Sequence, residues 1–258
     1  MKDAGRGKYS IGAVENAFSV LEFIIKHQAD VSAIEIHART GIPKATLHKL
    51  LQTLKDLDYI GQNPETNQYF ATLKPLQMGY YCLNRRQFLS TYYPYVLMYL
   101  RKFGYPLSLT CYSGYDAVVV YSSVGSANLV VDSKLYAGRT SPVYASSTGR
   151  LLLSTLDDET VRSILESIPL IPFTNRTPCE VDEIIQSLEQ VRRQGYCRLD
   201  GELYFGFSSY SFPLRDRQGD LIGSLNLIFP ENQADAALTP AAASDILKTL
   251  DKVRLNGG

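Results

Sequence analysis

The sequence predicts an α+β protein in two parts: an N-terminal winged helix-turn-helix over residues 8–74 and a mixed α/β domain over 92–258, joined by a linker helix over 75–91. Three observations carry this reading. Apolar residues recur at helical spacing through the first 58 residues, two short aromatic segments separated by a turn follow, and from Tyr92 onward strand and helix patterns alternate. Length agrees, since 258 residues, 45% of them hydrophobic, suffice for two domains with at least one sizeable core.

Val14, Ala17, Phe18, Leu21, Ile24 and Ile25 place a first amphipathic helix over Ala13 to His27. In the following SAIE, Ser32 can cap a new helix while Glu35 reaches back, which sets a second helix over Ala33 to Thr40. Gly41 turns the chain, and Pro43 opens a third helix that runs to about Asp58. YIGQ and QYFA then read as a hairpin about NPETN, giving the order of a winged helix-turn-helix. Pro75 to Leu89 reads as the linker helix, with Leu76, Gly79, Tyr80 and Leu83 along one side.

In the second part, LSLTCYS and AVVVYSSV form a hairpin about GYD, and NLVVDSKLY adds a strand. Helices are expected over Ser146 to Thr155, over Asp157 to Ser167 with acids in the first turn, and through VDEIIQSLEQVRRQG up to Gly195. FSSYSFPL and LIGSLNLIF form a second hairpin about DRQGD, and Leu238 to Leu255 closes the chain as a helix.

Composition narrows the function. No apolar run approaches the roughly 20 residues that span a bilayer, and the first residues lack the apolar core of a secretory signal, so a cytoplasmic protein without membrane contact is expected. Cys82, Cys111, Cys179 and Cys197 are scattered without a C-x-x-C pair and read as ordinary buried thiols, so no metal site or cofactor is expected. The three histidines, His27, His37 and His48, all precede residue 49, which leaves the C-terminal part without the commonest general base. Net charge is zero, but residues 1–90 carry 11 Lys/Arg against 8 Asp/Glu and residues 91–258 carry 15 against 18. That mild asymmetry is compatible with a polyanion partner for the N-terminal part.

On the third helix, Leu47, Leu50, Leu51, Leu54 and Leu57 share one side. Ala45, His48, Lys49 and Gln52 lie opposite, with Lys44 and Lys55 on the flank. The wheel alone fits a solvated surface helix as well as a major-groove reader. The capping box, the TGIP turn and the following wing favour the reader, with Gln52, His48 and Lys49 at base edges, Ala45 near a thymine methyl, and Lys44 and Thr46 at the backbone.

AFSVLEFI, TGIPKATLHKLLQTLKDLDYI and YFATLKPLQMG resemble the DNA-binding half of the IclR family of bacterial transcriptional regulators. SPVYASSTGRLLLSTLDDETVRSIL, VRRQGYCRLDGELYFGF and PLRDRQGDLIGSLNL resemble that family's effector domain, so the likeness covers nearly the whole chain. It implies a GAF-like α/β effector-binding domain, double-stranded operator DNA as partner, and homodimers or tetramers on palindromic sites.

The stretch YASSTGRLL leads small polar residues into a helix, which suits either a plain N-cap or a carboxylate held at Ser147, Thr148 and Gly149. The resemblance favours the carboxylate and adds Leu199, Asp200 and Ser209 to the effector site. It also exposes departures: the family's Gly-Lys-Ala is Gly149-Arg150-Leu151, an acid that lines the pocket in some relatives falls at Leu199, and a frequent cysteine falls at Ser209. Tyr112, Tyr121, Tyr144 and Tyr210 either stack on an aromatic ligand or fill a core that has no tryptophan.

The reading is a ligand-responsive, sequence-specific transcriptional regulator that binds a small carboxylate metabolite. The alternative is a hydrolase using Ser146, Ser147, Ser208 or Ser209, against which stand the missing G-x-S-x-G elbow and the missing histidine. An architectural DNA-binding protein has no need of so large a second domain.

Overall fold

The computed structural model describes residues 10–27, 29–84, 88–123 and 136–256. They fall into two compact units, Met1–Arg86 and Gln87–Gly258, so the division lies inside the span expected for the linker helix.

In the first unit, α1 (Gly12–Lys26), α2 (Ala33–Thr40) and α3 (Lys44–Asp56) precede a two-stranded hairpin, β1 (Ile60–Gln62) and β2 (Tyr69–Ala71), and then α4 (Lys74–Asn84). The capping box that starts α2 is complete: the Ser32 hydroxyl accepts from the Glu35 amide and the Glu35 carboxylate accepts from the Ser32 amide. Gly41 ends α2 at φ 70°, a left-handed conformation that suits glycine. His37 clamps the same turn from inside, its Nδ1 lying 2.7 Å from the Ile42 carbonyl. A carbonyl only accepts, so Nδ1 carries the hydrogen.

Val20, Leu21, Ile24, Ile36, Leu47, Leu51 and Leu54 bury together with Ile60 and Tyr69 of the hairpin. Three expectations need correction, the first being that all four cysteines are buried: Cys82 on α4 is exposed, Cys111 and Cys179 are half-buried, and Cys197 alone is buried. Leu57 of the leucine ridge caps α3 and is 49% exposed. On α1 the buried stripe is Val20, Leu21 and Ile24, and Val14, Phe18 and Ile25 are exposed. Lys74 of α4 donates to the Leu57 carbonyl at 2.7 Å, placing a cation at the C-terminus of α3 where the helix dipole favours one.

The second unit starts with α5 (Phe88–Phe103), followed by β3 (Leu107–Ser113), β4 (Asp116–Ser123), β5 (Thr140–Ser141), α6 (Ser147–Leu153), α7 (Asp158–Glu166), α8 (Val181–Gln194), β6 (Cys197–Asp200), β7 (Phe207–Arg215), β8 (Leu221–Pro230), α9 (Glu231–Ala237) and α10 (Pro240–Asn256). The strands form one antiparallel sheet in the order β5-β4-β3-β8-β7-β6. The strand expected in NLVVDSKLY lies almost wholly outside the described residues.

Alternation along the strands divides the sheet into two faces. Leu107 and Leu109, Tyr210, Phe212 and Leu214, and Leu225, Leu227 and Phe229 face α5, α9 and α10 in one large core. The alternate positions are Ser108 and Thr110, Ser209 and Ser211, and Ser224 and Asn226, and four of them have hydrogen bonds to one another or to α6. A sheet face made of hydroxyl and amide groups is buried all the same, with only Ser209 half-buried.

Candidate functional site

In the first unit, α3 presents Lys44, Ala45, Thr46, His48, Lys49 and Gln52 to solvent together. Its leucines anchor the rear face, so the outward side chains have a fixed base. Gln52 donates to Asp56 at 2.7 Å, which ties down one amide hydrogen of the residue assigned to base reading. Lys55 donates to Gln62 of the hairpin at 2.7 Å and braces helix against wing. The wing itself, residues 60–71, contains Glu65 and no Lys or Arg, so the cations of α3 carry the electrostatics of this face.

In the second unit, a cavity opens on the polar face of the sheet, against the start of α6. Its enclosed volume is small, about 40 Å³, and the cleft continues into open solvent. β3 gives it Ser108 and Thr110, β8 gives Asn226 and Ile228, β7 gives Ser209, and the start of α6 gives Ser147 and Thr148. Arg139, beside β5, and Tyr204, in the loop after β6, complete one side. Arg139 donates to the Tyr204 hydroxyl at 2.8 Å. Burial raises the Tyr204 hydroxyl above its ordinary pKa against the opposing pull of Arg139, so the phenol stays neutral. Among the described residues on the wall, Arg139 alone carries a charge.

Asn226 organises the floor. Its amide nitrogen donates to the Thr110 hydroxyl at 2.8 Å and to the Ser108 hydroxyl at 3.2 Å. Strand register makes this possible, since Asn226 lies directly between Ser108 and Ser211 on the neighbouring strands. The Ser211 oxygen is 2.8 Å from both the Asn226 amide oxygen and the Ser147 oxygen.

The cavity thus gathers Ser147, Thr148 and Ser209 of the expected effector residues and leaves three aside. Gly149 is on the far side of α6, where a β-carbon would overlap the Val143 backbone; its role is close packing. Leu199 is buried with Leu151, Val191 and Cys197. Asp200 accepts from Arg198 at 3.0 Å and from the Ser208 hydroxyl at 2.6 Å. Arg150, 1% exposed, pairs with Glu202 at 3.0 Å and also donates to Ser187 and the Tyr144 carbonyl.

None of the four tyrosines offers the cavity a ring. Tyr210 lies in the main core, Tyr121 meets Tyr93 edge-on, Tyr144 bonds Ile171, and Tyr112 donates to the Thr148 carbonyl at 2.7 Å from behind. Arg139, Tyr204 and Asn226 were not anticipated. The usable signal was the alternation of serine, threonine and asparagine in LSLTCYS, FSSYSF and GSLNLIF.

A winged helix-turn-helix followed by an α/β unit with its own polar cavity is the build of a DNA-binding regulator with a ligand-sensing domain. Residues 13–64 match the IclR helix-turn-helix domain and residues 82–255 match the bacterial transcriptional regulator IclR C-terminal domain. The chain belongs to the IclR family. It is 28% identical over 225 residues to the HTH-type transcriptional regulator KdgR of Escherichia coli (strain K12), covering 86% of this chain and 83% of that one. A transcriptional regulator from Rhodococcus sp. RHA1 shares the fold at TM-score 0.75 and 24% identity, over 95% of this chain and 100% of that one. An IclR homolog from Microbacterium hydrocarbonoxydans, solved with 4-hydroxybenzoate, superposes at TM-score 0.76 and 18% identity, over 93% of this chain and 99% of that one. Among the described residues no helix is long and apolar enough to cross a membrane.

Proposed function

We propose that two copies of this chain bind a palindromic operator through α3, and that a small carboxylate in the second unit's cavity changes that binding. The observation that carries the reading is Arg139 as the one charged residue described on a wall otherwise made of hydroxyls, an amide and short apolar groups. An anion is the ligand such a wall favours. The Microbacterium homolog's 4-hydroxybenzoate is a carboxylate, which supports the same class. The protein acts in the cytoplasm, where its DNA is, and it is not an enzyme. Against hydrolysis, the Ser146 hydroxyl is committed to the Pro142 carbonyl, Ser208 to Asp200, and no histidine follows His48.

Selection from random duplexes yields the operator, and titrations with and without candidate acids then test the coupling. Acid and operator must alter each other's affinity by the same factor. Ser209→Leu fills the cavity, and overpacking of this kind costs about 1–3 kcal/mol of binding or local stability. The variant is expected to hold its operator as the parent does and to respond only at far higher acid concentration. Parental acid affinity in Ser209→Leu would move the ligand elsewhere.

A further inference from the structure

The hydrogen-bond logic of the cavity floor selects among carboxylates. Asn226 gives one amide hydrogen to the Thr110 hydroxyl and shares the other between the Ser108 hydroxyl and the Ser108 carbonyl, so both hydroxyls can accept there and retain their own hydrogens to donate. Among the described residues neither hydroxyl has an acceptor of its own. The third hydroxyl has the opposite polarity. Ser211 has one hydrogen and two oxygens 2.8 Å away, and the Asn226 amide oxygen can only accept. Ser211 therefore gives its hydrogen to Asn226, the Ser147 hydroxyl supplies the hydrogen between the two serines, and Ser147 faces the cavity as an acceptor.

A floor with two fixed donors and one fixed acceptor is matched by groups that both accept and donate. Ligand hydroxyls do so; a benzene ring does neither, and a carboxylate only accepts. An aromatic acid would cover Ser108, Thr110 and Ser147 and leave them without partners, which is costly for buried polar groups. Among the described residues of the wall Tyr204 is the single aromatic one, and the Arg139 guanidinium already lies over its ring, 5.9 Å from the ring centre.

We infer that the ligand is a polyhydroxylated carboxylic acid, a sugar-acid type, with its carboxylate at Arg139 and its hydroxyls over the Asn226-ordered floor. The inference rests on the carboxylate reading above and adds the hydroxyls. Ser209 and Thr148, on the wall with no side-chain hydrogen bond among the described residues, add two adaptable partners along the chain of the ligand.

Calorimetric titration of the full-length protein with four probes tests it: D-gluconate, 4-hydroxybenzoate, hexanoate and sorbitol. Gluconate is expected to bind roughly 100-fold or more tightly than hexanoate, which has no hydroxyl, or 4-hydroxybenzoate, which has one on a flat ring, since a site built for several hydroxyls discriminates strongly against analogues without them. Thr110→Val keeps a β-branched side chain on a strand and removes one donor, and should weaken gluconate about 5- to 10-fold. Arg139→Gln should bring gluconate down to the level of sorbitol. Melting temperature confirms that each variant is folded. Tighter binding of 4-hydroxybenzoate or hexanoate than of gluconate overturns the polyhydroxy inference and leaves the carboxylate reading standing. Equal binding of sorbitol and gluconate by the parent overturns the carboxylate reading itself, and no binding of any probe at millimolar concentration overturns both.

Discussion

At the scale of single residues, the proposed recognition face is expected to separate positioning from reading. Lys44 is exposed at the first position of α3, where its ammonium can reach phosphate and, among the described residues, has no hydrogen-bond partner to orient it toward one base. Lys44→Ala is therefore expected to weaken binding to all duplexes alike and to lower the salt slope by about one unit, read from titrations at several salt concentrations. Gln52 differs, because its bond to Asp56 uses one amide hydrogen and leaves the other, with the amide oxygen, for a base edge. That is the arrangement that reads adenine. Gln52→Ala should relax preference at one base pair by about 1–3 kcal/mol and leave the salt slope unchanged. If both variants bind as the parent does, another face of the helix meets DNA.

At the scale of elements, the Arg150–Glu202 pair fastens α6 to the loop that carries Leu203 and Tyr204 to the cavity. Arg150 is 1% exposed and the Glu202 side chain 17% exposed, so removing one partner leaves a charge with little water to compensate it. Arg150→Met should cost about 3–5 kcal/mol of stability, measured by denaturant unfolding. Burial is the largest influence on Glu202 and raises its carboxyl above the ordinary 4.5, with Arg150 opposing. The folded state then binds the proton more readily than the unfolded chain. Stability contributed at this site must rise as pH falls through the window just above 4.5, and be lost again as pH rises through the folded value. The difference in melting temperature between the parent and Glu202→Gln, followed from pH 8 to pH 5, should move in the parent's favour on acidification. These ties were not legible in the sequence, because Arg150 and Glu202 are 52 positions apart. The helix-turn-helix was legible because its signals are local: a capping box, a glycine turn and a leucine period. Helix α5 was missed because Pro94 interrupts a pattern otherwise plain in the buried Phe88, Tyr92, Val96 and Tyr99. The cavity's hydroxyl face was visible as alternation, yet its burial depends on α6, and serines on a strand more often face water.

At the scale of the whole molecule, one recognition helix reads only a few base pairs, and specificity across a genome calls for two. The pairing proposed above has a candidate surface in the first unit. Ile11, Val14, Phe18 and Ile25, on or beside α1, are 69%, 50%, 61% and 44% exposed, and with Leu21 they repeat at alternating intervals of three and four. That is the spacing of a coiled-coil seam. Leu21 is buried in the unit's own core, so the exposed part of the stripe is Ile11, Val14, Phe18 and Ile25; four exposed apolar residues along one helix favour an interaction site, and two identical α1 helices can satisfy each other by a two-fold axis. Phe18→Asp places a charge in the middle of that stripe without disturbing the unit's own core, which uses Val20, Leu21 and Ile24. The variant should keep parental helix content by circular dichroism and sediment as a smaller species at micromolar concentration. Its affinity for a full palindrome should fall by about 100-fold or more, because the second half-site is no longer reached at high effective concentration, while affinity for an isolated half-site stays the same. Phe18→Leu, which retains the apolar seam, should assemble and bind as the parent does. A Phe18→Asp protein that remains a dimer and protects the whole palindrome in a footprint would place the pairing surface away from α1, with α4 and its exposed Leu76, Tyr80 and Tyr81 as the next surface to substitute.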